Sequence, residues 1–200
     1  MSGRYVKRFR MAVEIGSFKG PAPATTPAGY RLVAWNDALI DVHARTKFRA
    51  FRHEIDARVF PCLGDPEGCR RLMREIRSKP GFMPAAAWLI AWGQLPEELQ
   101  WCGTIQAVSE RRISAMIQNV GVVPGHRGTG LGSLLISRVV EACQRAGLAR
   151  VCLEVTADNL GAVRLYERLG FRRMKTVYKT LDDEPVGWNL STPCLGVAAG

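Results

Sequence analysis

Between residues 5 and 15 apolar positions alternate with charged ones, Tyr5, Phe9, Met11, Val13 and Ile15 against Arg8, Arg10 and Glu14. A period of two over that length predicts a half-buried β-strand. Residues 16–29 carry Pro21, Pro23 and Pro27 among glycines and threonines. They predict a linker or wrapping loop, so the strand is expected as an addition ahead of the main fold. A short strand is predicted at 30–35. Asn36 or Asp37 can cap a helix running to about residue 57, with Ala44, Phe48, Phe51 and Ile55 at helical spacing. Phe60-Pro61 and Leu63-Gly64 break it. Asp65-Pro66 then supplies a cap followed by proline at the first helical position. Cys69, Leu72, Met73 and Ile76 mark the buried face of this second helix, and Lys79-Pro80-Gly81 ends it.

Three apolar runs, 86–92, 101–108 and 113–122, are separated by turn-like stretches and predict an antiparallel meander. Helical spacing resumes over 128–146, where Leu131, Leu134, Leu135, Val139, Ala142, Cys143 and Ala146 share a face, and stops at Gly147. A strand at 151–156 follows, then a helix at 160–169 capped by Asp158 or Asn159 and closed by Gly170, then a strand at 171–181. Residues 182–200 read as a loose tail. The pattern predicts an α+β protein: a mixed, mostly antiparallel sheet flanked by about four helices, with the extra strand in front. The expected divisions are 1–29 for strand and linker, 30–181 for one domain, and 182–200 for the tail.

Composition changes this picture little. Two hundred residues, 47% apolar and 23% charged, suit one soluble domain with a real core. No run approaches the roughly 18 apolar residues of a membrane span, and the basic N-terminus is not followed by a signal-peptide core. A cytoplasmic location without membrane partners is the expectation. Six cysteines (62, 69, 102, 143, 152, 194) show no Cys-x-x-Cys, and three histidines (43, 53, 126) are scattered. Buried apolar roles for the thiols and no metal site are expected. The net charge of +10 suits nucleic acid, an anionic cofactor or a solvated surface. Its basic residues are dispersed and no aromatic-interleaved stripe accompanies them, so a solvated surface is the leading reading and nucleic-acid or ribosome contact a minor one.

The stretch 119–133, Asn-Val-Gly-Val-Val-Pro-Gly-His-Arg-Gly-Thr-Gly-Leu-Gly-Ser, carries the candidate chemistry. A strand breaks at Pro124-Gly125 and passes into a helix whose opening turn is expected to contain Gly128, Gly130 and Gly132. The first four N–H groups of a helix lack internal partners, and its dipole favours an anion there. Three readings compete: a tight turn that only needs glycine, a dinucleotide-binding loop, and a diphosphate cradle of another kind. Gly128-x-Gly130-x-x-Ser133 lacks the third glycine of a dinucleotide loop, although Glu154 stands near the expected distance for its acid; no Gly-Lys-Ser/Thr follows for a Walker loop.

Arg127-x-x-Gly130-x-Gly132 resembles the acyl-CoA-binding motif of the GNAT acetyltransferases. The companion stretch 153–171, Leu-Glu-Val-Thr-Ala-Asp-Asn-Leu-Gly-Ala-Val-Arg-Leu-Tyr-Glu-Arg-Leu-Gly-Phe, resembles that family's second motif, also one helix and one strand downstream. The resemblance implies an acetyl-CoA-dependent N-acetyltransferase of the three-layer acyltransferase fold, with acetyl-CoA and an unidentified amine as partners, acting as a monomer or homodimer without metal. Arg127, Gly128, Thr129, Gly130, Leu131, Gly132 and Ser133 would hold the diphosphate. Val120, Gly121 and Val122 would form a strand splayed from its neighbour, pairing its backbone with the pantetheine arm, and Asn159 would contact the cofactor or serve as a helix cap. Tyr166 matches the tyrosine that protonates the departing thiolate. Glu154 resembles the base of acetyltransferases acting on a ribosomal protein's N-terminal amine, with a water chain as the other option. Acceptor choice is expected from residues 44–84, where Glu54, Asp56, Asp65 and Glu67 could neutralise an amine. The rivals are an acyl-CoA-binding regulatory module without catalysis and a basic nucleic-acid-binding protein.

Overall fold

The computed structural model describes residues 4–21, 26–94, 99–110 and 113–181; the expected tail and part of the linker lie outside them. Seven strands form one sheet: β1 (Arg4–Glu14), β2 (Tyr30–Ala34), β3 (Trp88–Trp92), β4 (Gln100–Glu110), β5 (Ser114–Val122), β6 (Arg150–Thr156) and β7 (Arg172–Leu181), in the order β2-β3-β4-β5-β6-β1-β7. β2 to β5 make the antiparallel meander, and β5 pairs with β6 in parallel. Five helices, α1 (Ile40–Phe51), α2 (Ile55–Val59), α3 (Pro66–Ser78), α4 (Leu131–Arg145) and α5 (Leu160–Arg168), pack around it. α1 and α4 both pack against the same two strands, β4 and β5.

The N-terminal strand is not placed ahead of the fold. β1 runs between β6 and β7, antiparallel to both, with Phe9, Met11 and Val13 in the core. Alternation correctly marks a half-buried strand, but it carries no information about which edges the backbone pairs with.

The helix expected to run to residue 57 ends at Phe51, and a separate α2 starts at Ile55. The interruption is stabilised from outside: Arg127 donates to the Ala50 carbonyl at 3.0 Å and to Glu54 at 2.7 Å, satisfying a group the helix end leaves unpaired. The cap at Asp65 forms as expected, its side chain accepting from the Gly68 N–H. Asn36 accepts from the Ala38 N–H, but it caps a short 3-10 turn (Asp37–Leu39) ahead of α1, whose own N-cap, Leu39, offers no side-chain bond.

One irregularity shapes the centre of the sheet. Gln106 faces Asn119 and Ala107 faces Ile117, which leaves Gln118 as an extra residue, a bulge in β5. The bulge reverses the alternation, so Met116, Asn119 and Gly121 share the α1 face. A Cβ at Gly121 would stand 2.6 Å from the Phe51 ring, so glycine lets α1 close down here. Pairing with β6 covers only Ser114, Ala115 and Met116; from Ile117 onward the two parallel strands part.

Beneath α1 lies a fully buried polar network. Lys47 Nζ donates to Gln106 Oε1 (2.9 Å) and Asn119 Oδ1 (2.5 Å). Gln106 Nε2 donates to Thr104 Oγ1 at 2.6 Å and lies 3.0 Å from His43 Nδ1, which is also 2.9 Å from Thr104 Oγ1. With the amide and hydroxyl both directed at it, Nδ1 is the acceptor and the ring is neutral. Burial, and behind it the positive charge of Lys47, lowers His43 to about 3.

Two outcomes follow. A chain beginning at residue 30 is expected to lose cooperative thermal unfolding, because β6 and β7 would each lose a partner; an undiminished transition would show that β1 is dispensable. His43 is neutral in the fold and titrates near pH 6.5 when unfolded, so the unfolded chain binds the extra proton. Its contribution is full above that value and is lost as pH falls toward 3. Urea unfolding at pH 7 and pH 5 is expected to show a loss about 2 kcal/mol larger in the wild type than in His43→Asn.

Candidate active site

The break after β5 brings the glycine stretch over α4. Gly128 (φ +76°) and Gly130 (φ +83°) precede the helix, which starts at Leu131, and only Gly132 falls in its first turn. Left-handed backbone at both positions requires glycine or a close substitute, and a Cβ at either would meet nothing within 4 Å. The loop is therefore bare on its outer side, next to the unpaired N–H groups of α4. A pocket of about 210 Å³ opens there, lined by Val122, His126, Arg127, Gly128, Gly130, Leu131, Gly132, Ser133, Leu165 and Arg168. Backbone N–H groups left bare at a helix start in this way can receive an anion.

Of the expected cradle residues, Val120, Gly121, Thr129 and Asn159 lie outside that lining. Val120 is core and Gly121 faces α1. The Thr129 hydroxyl donates to the His126 carbonyl at 2.7 Å, closing the turn. Arg127 lines the pocket, but its guanidinium is not directed at a ligand: besides Ala50 and Glu54 it binds the Val122 carbonyl at 3.0 Å. It clamps the end of β5 to the end of α1, and the Val122 carbonyl is accordingly not free. The rest of the β5 edge facing β6, from 117 onward, has no strand partner among the described residues.

Arg168 and Leu165 reach the pocket from α5, and neither was read from the sequence as a site residue. The only available signal was a cation at a helix end, which is common on any solvated helix.

Next to Leu165 on α5, Tyr166 is fully buried, and its hydroxyl has no hydrogen-bond partner among the described residues. Burial and then the negative charge of Asp56 raise the phenol well above its ordinary value. Such a hydroxyl holds its proton at neutral pH. Asn159, N-cap of α5, is engaged at both ends of its amide: Oδ1 accepts from Ala162 N at 3.2 Å, and Nδ2 donates to Asp56 Oδ2 at 3.3 Å. Its capping role is therefore seen directly, and its partner is a carboxylate.

Glu154 projects from β6 with 16% of its side chain exposed. Arg8 of β1 lies against it, Nη1 3.9 Å from Oε2 and Nη2 donating to the Glu154 carbonyl at 3.2 Å. Arg8 is itself 2% exposed, with its guanidinium over the Phe60 ring. Burial lowers its affinity for the proton, and Glu154 and Asp56 oppose that. Sequence alternation placed Arg8 on the polar side of a strand and nothing more. Among the described residues no three histidines, cysteines or carboxylates converge as metal ligands, and no helix is long and apolar enough to cross a membrane.

A three-layer protein whose central sheet opens between two parallel strands, with a bare glycine loop at the opening, has the acyltransferase architecture, and solved structures share it. A GCN5-related N-acetyltransferase from Sphaerobacter thermophilus superposes with TM-score 0.68 over 90% of this chain and 53% of that one, at 22% identity. The ribosomal-protein-S18-alanine N-acetyltransferase of Escherichia coli gives 0.53 over 80% of this chain and 98% of that one, at 14%. The chain belongs to the acetyltransferase (GNAT) family, whose model matches residues 52–171. In sequence it is similar to the mycothiol acetyltransferase of Renibacterium salmoninarum, 33% identical over 112 residues, which is 54% of this chain and 33% of the relative. It is also similar to the ribosomal protein bS18-alanine N-acetyltransferase of Escherichia coli K12, 35% identical over 71 residues, 34% of this chain and 48% of the relative. The matched stretches thus span between a third and a half of these relatives. β1, with Arg8, lies outside the family match.

Because the Arg127 fork bridges three protein acceptors, Arg127→Lys is expected to destabilise the fold by about 1–3 kcal/mol in urea unfolding, despite the retained charge. An unchanged midpoint would mean that the clamp carries no stability.

Proposed function

We propose that this protein transfers an acetyl group from acetyl-CoA to a primary amine by direct attack of the amine. The observation that carries the reading is the glycine-floored pocket at the start of α4, at the end of a β5 edge that has no strand partner past Met116 among the described residues; Tyr166 is buried one residue along α5 from Leu165 of that lining.

Acetyl-CoA supplies an acetyl group activated as a thioester. The N–H groups around Gly128 to Ser133, with Arg168 across the pocket, bind the diphosphate. The edge of β5 past Met116, without a strand partner among the described residues, offers backbone donors and acceptors that an extended pantetheine arm can pair with as a further strand would. Strand N–H groups fixed in a water-poor cleft can stabilise the oxyanion that develops on attack. Tyr166 Oη holds the proton that the departing sulfur takes, and burial keeps that proton in place until then. Glu154, on the partly open side of Arg8, takes the amine's proton, directly or through water. The amine itself approaches from the α1–α3 face, where Glu154 and Asp56 lie; a peptide or protein N-terminus is the acceptor class that the ribosomal-protein relatives suggest. The protein acts in the cytoplasm on this reading.

The test uses two variants. CoA is expected to raise the melting temperature of the wild type and of Tyr166→Phe equally, and to leave that of Gly130→Glu unmoved, each compared with its own ligand-free melt. Acetyl transfer across a panel of peptide N-termini, lysine peptides and polyamines is expected to drop by about 10²–10⁴ in Tyr166→Phe. A wild type indifferent to CoA sinks the cofactor reading. CoA stabilisation with no transfer to any amine would leave a binding module instead.

A further inference from the structure

Asp56 is the one fully buried carboxylate among the described residues, and no part of the proposed reaction uses it. It stands in the second residue of α2, on the acceptor side of the sheet. Thr156 Oγ1, at the end of β6, donates to its Oδ1 at 2.8 Å; Asn159 Nδ2, the cap of α5, lies 3.3 Å from its Oδ2. The Arg8 guanidinium, brought in by β1, supplies the neighbouring positive charge. Burying a carboxylate and a guanidinium together costs several kcal/mol per ion before their attraction is counted, and an apolar pair would often serve stability as well. The placement therefore asks for a role other than stability.

We infer that Asp56 is a positioning residue for Tyr166, fixing the start of α5 through Asn159 and placing a negative charge beside the phenol. The inference rests on the proposed transfer, with Tyr166 as proton donor. Tyr166 follows Asn159 by seven residues, two helical turns, so both look out from one side of α5, the side Asp56 occupies. Through the Asn159 amide the carboxylate sets the rotation and height of the helix that carries the phenol. Its charge also opposes formation of phenolate, which keeps the hydroxyl available as a donor. Asp56 is the charged group that bears on the phenol; Asp56 in turn feels Arg8 from β1 and Glu54 from the α2 side, and Arg8 feels Glu154 from β6. Glu54 is turned toward Arg127 and Glu154 toward Arg8, which leaves Asp56 as the carboxylate bearing on Tyr166.

The test does not depend on finding the acceptor. Ultraviolet titration of the tyrosines, with Tyr166→Phe subtracted, isolates the Tyr166 transition; in Asp56→Asn it is expected at lower pH than in the wild type. Where a peptide acceptor from the transfer panel turns over, Asp56→Asn is expected to lower kcat tenfold or more while KM for acetyl-CoA stays within twofold. Should Asp56→Asn fail to fold beside the buried Arg8, the Arg8→Met/Asp56→Asn double variant removes both charges and is titrated in its place. A Tyr166 transition unmoved in the variant that folds overturns the inference whatever the turnover. A moved transition in a protein that transfers no acetyl group upholds the Asp56–Tyr166 coupling and removes only the proposed reaction.

Discussion

Two parallel strands that part after three paired residues create the space on which everything else in this molecule depends. In a sheet buried on both faces, leaving a run of backbone N–H and C=O groups unpaired is costly, and folds avoid it unless something else satisfies them. Here the parting has a local cause. The extra residue at Gln118 turns β5 away from β6, and bulges both bend a strand and strengthen its twist. The buried Lys47, bonded to Asn119 next to the bulge and to Gln106 across from it, anchors the bent strand to α1. At the far end of β5 Arg127 holds the Val122 carbonyl and the end of α1. The opening is thus built by a bulge and held by two cations, Lys47 beside the bulge and Arg127 at the end of β5.

The same logic explains why the N-terminal strand matters beyond its own hydrogen bonds. Once β6 has left β5, its other edge needs a partner over its full length, and β1 supplies it from Arg8 to Glu14. That pairing carries Arg8 into the interior, against Glu154 and near Asp56. A segment outside the family match thereby contributes a buried charge beside Glu154 and Asp56.

Family, fold class and the outline of the pocket were legible because each has a local signature. Positive φ at Gly128 and Gly130, the cap at Asp65 and the left-handed Gly170 are properties of a few consecutive residues. Arg127 shows where local reading ends: its place in a motif marked it as a ligand residue, yet its guanidinium binds three protein groups 5, 73 and 77 residues away. Asp56 was grouped with three other acids of the acceptor region. Only its distance from Thr156 and Asn159, 100 and 103 residues on, separates it from exposed carboxylates.

Periodicity, capping residues and glycine spacing by themselves determined the strands, the helices apart from the break between α1 and α2, their order, and the loop that can receive an anion, since all of these follow from steric and hydrogen-bonding rules acting over a turn or two of chain. The pairing of β1 between β6 and β7, the divergence at the bulge and the gathering of Arg8, Asp56, Asn159, Glu154 and Tyr166 were decided only by the tertiary structure. Edge choice in a sheet and the burial of a charge are settled by long-range partners, and nothing in the neighbouring residues records which partner will be there.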